Sequence, residues 1–401
     1  MKTIRFFTGL LLTLGSCCQP GLFAQGWFQL PDYPATERDD GVCFVIGSKA
    51  WCGTGLQVGW IPGGDFYCLD LATETWSSSA SLPVGMERQY ACGFSDGLSG
   101  YVVGGVDASG TLLNDVWMYD PAGNNWTQKA SKPGTLLAAS SAFVIGDTAY
   151  VVGGNNNLGV IASKEVWAYS FSGNSWTRKA DTPFLGRWRA SACTMGNNGY
   201  LGFGRDENGG FCNDGYTYEP TTDSWQPVFS FPGPGRNYAA MVSDGTDLLV
   251  FGGIDTAGSC YDGIDRFVFP AGSWTGASSI PTHIGRKGGM SFFANGNFFY
   301  TCGIDSASTR LKETWKYGQP IGLAEAKEKA ALSIYPNPVA ELLYLQAPAG
   351  STYKIYDATM RLVLSGQDAE NGIVVSQLAK GLYFLELQQD KDVYTGKWVK
   401  E

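Results

Sequence analysis

Tyr101-Val102-Val103-Gly104-Gly105, then Val116-Trp117-Met118-Tyr119-Asp120, then Trp126 is followed one period later by Tyr150-Val151-Val152-Gly153-Gly154, Val166-Trp167-Ala168-Tyr169 and Trp176. An apolar run closing on a glycine pair, an aromatic strand and a lone tryptophan recur in fixed order. The tryptophans continue in both directions as Trp27, Trp76, Trp126, Trp176, Trp225 and Trp274, at intervals of 49, 50, 50, 49 and 49. Regular spacing of this length marks a repeat architecture. Further glycine-closed runs stand at Trp51-Cys52-Gly53-Thr54-Gly55, Tyr200-Leu201-Gly202-Phe203-Gly204, Leu249-Val250-Phe251-Gly252-Gly253 and Tyr300-Thr301-Cys302-Gly303. Each unit has room for four short strands.

Composition agrees. The 401 residues include 54 glycines, with 14% aromatic and only 16% charged residues, which suits strands and tight turns and excludes an all-helical fold. The net charge of -9, without a basic stripe, argues against nucleic acid as a partner.

The glycine doublet, the aromatic pair and the spaced tryptophan resemble the kelch repeat over roughly residues 27 to 317. The resemblance implies an all-β chain whose six four-stranded units stack radially as propeller blades, because one such sheet cannot bury both faces alone. The sixth unit supplies Gly289 to Ala294, Asn297 to Cys302 and Glu313 to Tyr317, but Leu323 stands where its tryptophan is due. Trp27-Phe28-Gln29-Leu30 has the missing phase, so an N-terminal strand is expected to close the ring.

After Tyr317 the pattern stops, and Ala324 to Ala331 is polar and Ala-rich. Ile334-Tyr335-Pro336-Asn337-Pro338, Leu342-Leu343-Tyr344-Leu345, Tyr353-Lys354-Ile355-Tyr356-Asp357, Arg361-Leu362-Val363, Gly381-Leu382-Tyr383-Phe384-Leu385 and Lys397-Trp398-Val399-Lys400 follow. This series is similar to the type A sorting domain of the type IX secretion system. The resemblance implies a small C-terminal β-sandwich that engages the secretion machinery and delivers the chain to the cell surface or the medium. At the other end, Lys2 and Arg5 precede an apolar run from Phe6 to Leu14, the pattern of an export signal too short to span a bilayer. Cleavage after Ala24 is the favoured reading, with lipidation at Cys17 as the alternative. The expected organisation is a signal at 1–24, a propeller at 25–320, a linker at 321–331 and a sorting domain at 332–401. No segment of the mature chain has the pattern of a transmembrane helix.

Eight cysteines remain beyond the signal, in no zinc spacing, and His283 is the only histidine. No metal or cofactor motif is present. Val42 to Ile46, Gly47-Ser48 and Lys49 to Cys52 read as a two-residue hairpin, which sets Cys43 opposite Cys52 at a non-hydrogen-bonded pair. A disulfide there and two reduced core thiols are both compatible with that register.

Arginine recurs where one unit passes to the next: Arg38, Arg88, Arg187, Arg236 and Arg286. These are the candidate ligand-binding residues, since guanidiniums gathered at one channel mouth suit an acidic ligand. Bridging of neighbouring blades is the competing role. Asp107, Asp206, Asp255 and Asp305, each just after a glycine pair, read as turn caps. Glu37 and Glu87, each beside an arginine, and His283 are the candidate catalytic groups. The expected function is a non-catalytic module for a protein or glycan. The alternative is a sugar-acid epimerase resembling the six-bladed N-acetylneuraminate epimerases. Copper oxidase chemistry of the galactose oxidase kind needs two histidines and is excluded.

Overall fold

The computed structural model describes residues 25–156, 162–318, 334–345, 351–357, 361–367, 372–389 and 392–401, and these form two compact units that divide at Pro320. The export signal, Cys17 and the linker lie outside the described residues. Among the described residues every regular element is a strand, and none forms a helix long and apolar enough to cross a membrane.

The first unit contains six four-stranded antiparallel sheets. Blade 1, for example, runs Val42–Ile46, Lys49–Gly53, Phe66–Asp70 and Thr75–Ser79 from the inside outward. The innermost strands of blades 2 to 6 are Cys92–Ser95, Ser141–Ile145, Ser191–Met195, Ala240–Ser243 and Met290–Ala294. Each touches the next, and the last touches Val42–Ile46, so the ring is closed. The fourth strand of blade 6 is Gly26–Leu30, which pairs with Thr314–Gly318 in the register Trp27 to Tyr317 and Leu30 to Thr314. The N-terminus therefore closes the ring, as the tryptophan phase requires.

Side-chain alternation explains where the core sits. Residues on one face of each sheet meet the next blade, as where Phe44, Trp51 and Phe66 of blade 1 pack with Val102 and Tyr119 of blade 2. A fully buried aromatic of this kind contributes about 2 to 3 kcal/mol relative to exposure, and six such interfaces repeat around the ring. Four of the six periodic tryptophans tie the blades together through the indole N–H, whereas those of Trp225 and Trp274 are buried without a hydrogen-bond partner. Trp27 donates to the Ser278 carbonyl, Trp76 to Pro31, Trp126 to Ala80 and Trp176 to Ala130, all at 2.8 or 2.9 Å.

The glycine pair has two distinct positions. At the second, Gly105 has φ +96°, and a Cβ there would lie 2.6 Å from the Gln89 carbonyl, so only glycine fits. The first position keeps a left-handed φ in every blade although Thr54, Phe203 and Cys302 replace glycine in three of them. The irregular motifs therefore preserve the turn at a local conformational cost.

The second unit packs a three-stranded sheet, Ile334–Tyr335, Leu342–Leu345 and Ile373–Val374, with a four-stranded one formed by Leu362–Gln367, Thr352–Asp357, Gly381–Gln389 and Asp392–Lys400. Leu343, Ile355, Leu385, Leu387 and Trp398 lie in the core between them.

Candidate functional site at the channel mouth

Each blade-to-blade crossover ends in one residue that turns the chain into its inner strand. These six residues, Asp40, Tyr90, Ala139, Arg189, Tyr238 and Gly288, all have φ between 52° and 64°. Their backbones form a belt: Tyr90 N donates to Asp40 O, Ala139 to Tyr90, Arg189 to Ala139, Tyr238 to Arg189 and Asp40 to Gly288, at 2.6 to 3.2 Å. All six line a cavity of about 160 Å³ at one end of the channel. Behind it the channel widens to about 410 Å³ between small residues such as Gly41, Ala91, Ser141 and Ser191.

The side chains on this belt make a polar cluster. Asp40 of blade 1 and Arg189 of blade 4 come from opposite sides of the ring, as do Tyr90 of blade 2 and Tyr238 of blade 5. The two tyrosine hydroxyls stand 3.4 Å apart, and Arg189 Nη2 donates to the Tyr90 oxygen at 2.8 Å. Arg189 is stacked on Trp188 and Tyr238, with 4.0 and 4.1 Å between guanidinium carbon and ring centroid. Its Nε is buried without a hydrogen-bond partner, and no carboxylate among the described residues lies within ion-pair distance of it. Lys287, near the Tyr238 ring, is likewise free of an ion pair. Two cations with spare donors thus flank the mouth.

Burial, reinforced by the adjacent Asp39 carboxylate, pushes the Asp40 carboxyl well above its ordinary pKa, against the opposing pull of Arg189 and a hydrogen bond from Tyr90. Burial and the nearby Asp40 raise Tyr90 to about 12 and push Tyr238 well above the ordinary phenol value. Among these three, Asp40 is the group fitted to exchange a proton, while the phenols serve as neutral donors. No cluster of metal-ligating side chains occurs among the described residues.

The arginines singled out by the repeat lie elsewhere. Arg38, Arg88, Arg187, Arg236 and Arg286 are at most 5% exposed, and each meets a carboxylate of the same blade. The pairs are Arg38 with Asp65 at 2.7 Å, Arg88 with Asp115 at 2.6 Å, Arg187 with Asp214 at 2.7 Å, Arg236 with Asp265 at 2.8 Å and Arg286 with Glu313 at 2.8 Å. Arg38 and Arg88 also donate to the carbonyls of Thr54 and Gly104, at the first position of the glycine pair. Buried and each paired with a carboxylate, these guanidiniums clamp the crossover to the blade and do not meet at the mouth, although Arg187 Nε, Arg236 Nε and Arg286 Nη1 have no hydrogen-bond partner. Blade 3 has Leu137 at that place, and Lys132 fills in by donating to Pro133 and Thr135 carbonyls while Thr135 binds Glu165.

Neither Glu37 nor Glu87 lines the mouth; Glu37 instead faces Lys312 at 3.7 Å. His283 is 75% exposed on the crossover between blades 5 and 6, where it meets Asp262 at 3.0 Å, and it too stands apart from the mouth. Asp107, Asp206, Asp255 and Asp305 each accept a backbone N–H four residues on, the turn-capping geometry expected of them. Cys43 and Cys52 are opposite one another as the hairpin register requires, and both are free thiols, with Cys43 Sγ donating to the Ser291 carbonyl at 3.0 Å. Sequence reading passed over Asp40, Tyr90, Arg189 and Tyr238. They stand two residues after the recurrent arginines, at the position that varies within a constant frame.

Comparison with known proteins agrees with the fold. Residues 139–319 match the KLHDC2/KLHL20/DRC7 Kelch-repeats domain, 101–133 the Kelch motif, and 333–401 the Secretion system C-terminal sorting domain. The chain is 28% identical over 275 residues to an N-acetylneuraminate epimerase of Haemophilus influenzae (strain PittEE), covering 65% of this chain and 68% of that one. It is 26% identical over 269 residues to Kelch-like protein 35 of Mus musculus, covering 64% of this chain and 44% of that one. The solved structure of YjhT superposes with a TM-score of 0.63 at 19% identity, covering 71% of this chain and 95% of that one, which is a likeness of fold. The chain is thus built of kelch repeats in a β-propeller followed by a secretion system C-terminal sorting domain, which marks it for the cell surface or beyond.

Proposed function

We propose that the channel mouth binds a small acidic sugar and catalyses opening and reclosure of its ring at the anomeric carbon. The observation that carries this reading is the opposition of Arg189, with its unpartnered buried Nε, to Asp40, a carboxyl whose proton affinity is raised. Arg189 anchors the sugar carboxylate, with Lys287 adding positive potential. Asp40 in its protonated form gives its proton to the ring oxygen as the bond from that oxygen to the anomeric carbon breaks. Water takes the proton of the anomeric hydroxyl, leaving an open-chain carbonyl. Rotation and attack by the same oxygen on the other carbonyl face close the ring, and the two protons return by the reverse transfers. No redox partner is consumed. The relatives named N-acetylneuraminate epimerase support this substrate class.

Binding without turnover is the second reading. It is favoured by the high proton affinity of Tyr90 and Tyr238, which leaves Asp40 without a protein base to work beside it.

Anomerically pure N-acetylneuraminic acid, followed by NMR, separates the two. Acceleration above buffer is expected with wild type, lost in Asp40→Asn, weakened in Arg189→Ala, and retained in Glu37→Gln, Glu87→Gln and His283→Ala. Binding with a buffer-like rate would leave the non-catalytic module. Absence of binding would remove acidic sugars as the ligand.

A further inference from the structure

The loop from Thr54 to Gly64 stands beside the mouth and carries Trp60 in a conformation that serves no core. Its indole is 76% exposed, and its φ of +64° is one that a bulky residue rarely adopts. The turn is held by Trp60 N donating to the Gln57 carbonyl at 3.1 Å, and Leu56–Gln57 pairs with Arg38–Asp39, directly before Asp40. Arg310 places its guanidinium 4.9 Å from the indole centroid and donates through Nε to Asp39 at 2.6 Å. That side chain is only 8% exposed, so the cation supporting Trp60 is fixed. A chain of contacts from Trp60 through Arg310 to Asp39 thus ends beside the carboxyl at the mouth. Val58 and Ile61, 55% and 59% exposed, widen the apolar shelf.

We propose that Trp60 is the platform for a second sugar residue, so that the ligand is an oligosaccharide whose acidic reducing end enters the mouth. This rests on the acidic-sugar reading above and extends it. An aromatic ring with one face capped by a fixed cation offers the other to the C–H face of a pyranose, and its position is set before the ligand arrives. Continuity with a mouth lined by Asp40, Tyr90 and Arg189 favours a sugar as the occupant, since one rigid ligand then spans polar and apolar portions of a single surface.

The probes are N-acetylneuraminic acid and its glycosidically linked dimer, with affinities from calorimetry and reducing-end ring opening from NMR. The dimer should bind wild type more tightly than the monomer. Trp60→Ala should weaken the dimer roughly tenfold, leave the monomer unchanged and leave the rate at saturation unchanged, and Trp60→Phe should restore most of the loss. A dimer that binds no better than the monomer, or a Trp60→Ala loss equal for both or absent, would overturn the platform while the acidic-sugar reading stands. Monomer neither bound nor turned over, with a dimer whose affinity still depends on Trp60 and not on Arg189, would overturn that reading and keep the platform.

Discussion

Arg88 and Arg189 carry the same charge, yet one is a structural clamp and the other a candidate ligand anchor. The difference is their partners. Arg88 is fully buried on Asp115, whose own burial would raise its pKa but whose bond to Arg88 holds it below the ordinary carboxylate range. Arg88→Ala leaves that carboxylate without its cation, and a loss of about 3 to 5 kcal/mol is expected in denaturant unfolding. Arg189→Ala should lower the midpoint far less. Asp40 has the opposite sign. Its folded pKa is raised, so the native state holds the proton more tightly than the unfolded chain, and stability falls as pH rises from the usual aspartate range through the value in the fold. Asp40→Asn should therefore raise the melting temperature at neutral pH and flatten that part of the pH profile; an unchanged profile would mean the carboxyl is not desolvated. The recurrent arginines were legible because repetition exposes what the scaffold needs. Asp40, Tyr90, Arg189 and Tyr238 were not, because a function carried by single copies does not repeat, and their convergence exists only once the ring closes.

At the level of the element, strands and their order were legible from the period alone, including the displaced strand Gly26–Leu30. The reason is physical: a sheet edge in blade 6 demands a partner, and only one segment has the right phase. Trp27 packs against Phe251, Phe298, Trp315 and Tyr317 with centroids 5.2 to 6.5 Å away, and Lys316 reaches Glu74 of blade 1 at 2.6 Å. Trp27→Ala should cost about 3 kcal/mol, and deletion of residues 25–34 more, measured by thermal unfolding. An unchanged midpoint would mean that the latch does not hold the ring. The substituted glycine positions give a subtler test. Thr54 adopts φ +58°, its hydroxyl is buried without a partner, and only its backbone is used, the carbonyl accepting from Arg38 and the N–H donating to the Asp65 carbonyl. Thr54→Gly should stabilise the fold by about 1 kcal/mol, since it removes both costs and keeps the carbonyl. Phe203 has the same φ but is buried against Phe229 and Phe231, so Phe203→Gly should destabilise.

Across the whole molecule, the two units answer to different demands. The propeller closes on itself through six repeated interfaces, whereas the C-terminal unit has its own core around Leu343, Ile355, Leu385 and Trp398. Separate cores predict separate unfolding. Removal of residues 332–401 should therefore leave the melting of the propeller within a few degrees of its value in the full chain. Export should fail, because the sorting domain is the part that the secretion machinery reads. In cells that have the type IX system, the truncated chain should accumulate in the periplasm, measured by fractionation and immunoblotting. Truncated protein at ordinary levels in the medium would show that another signal directs secretion. Loss of the propeller's cooperative melt would show instead that the C-terminal unit supports the ring, and each outcome is read by a different measurement.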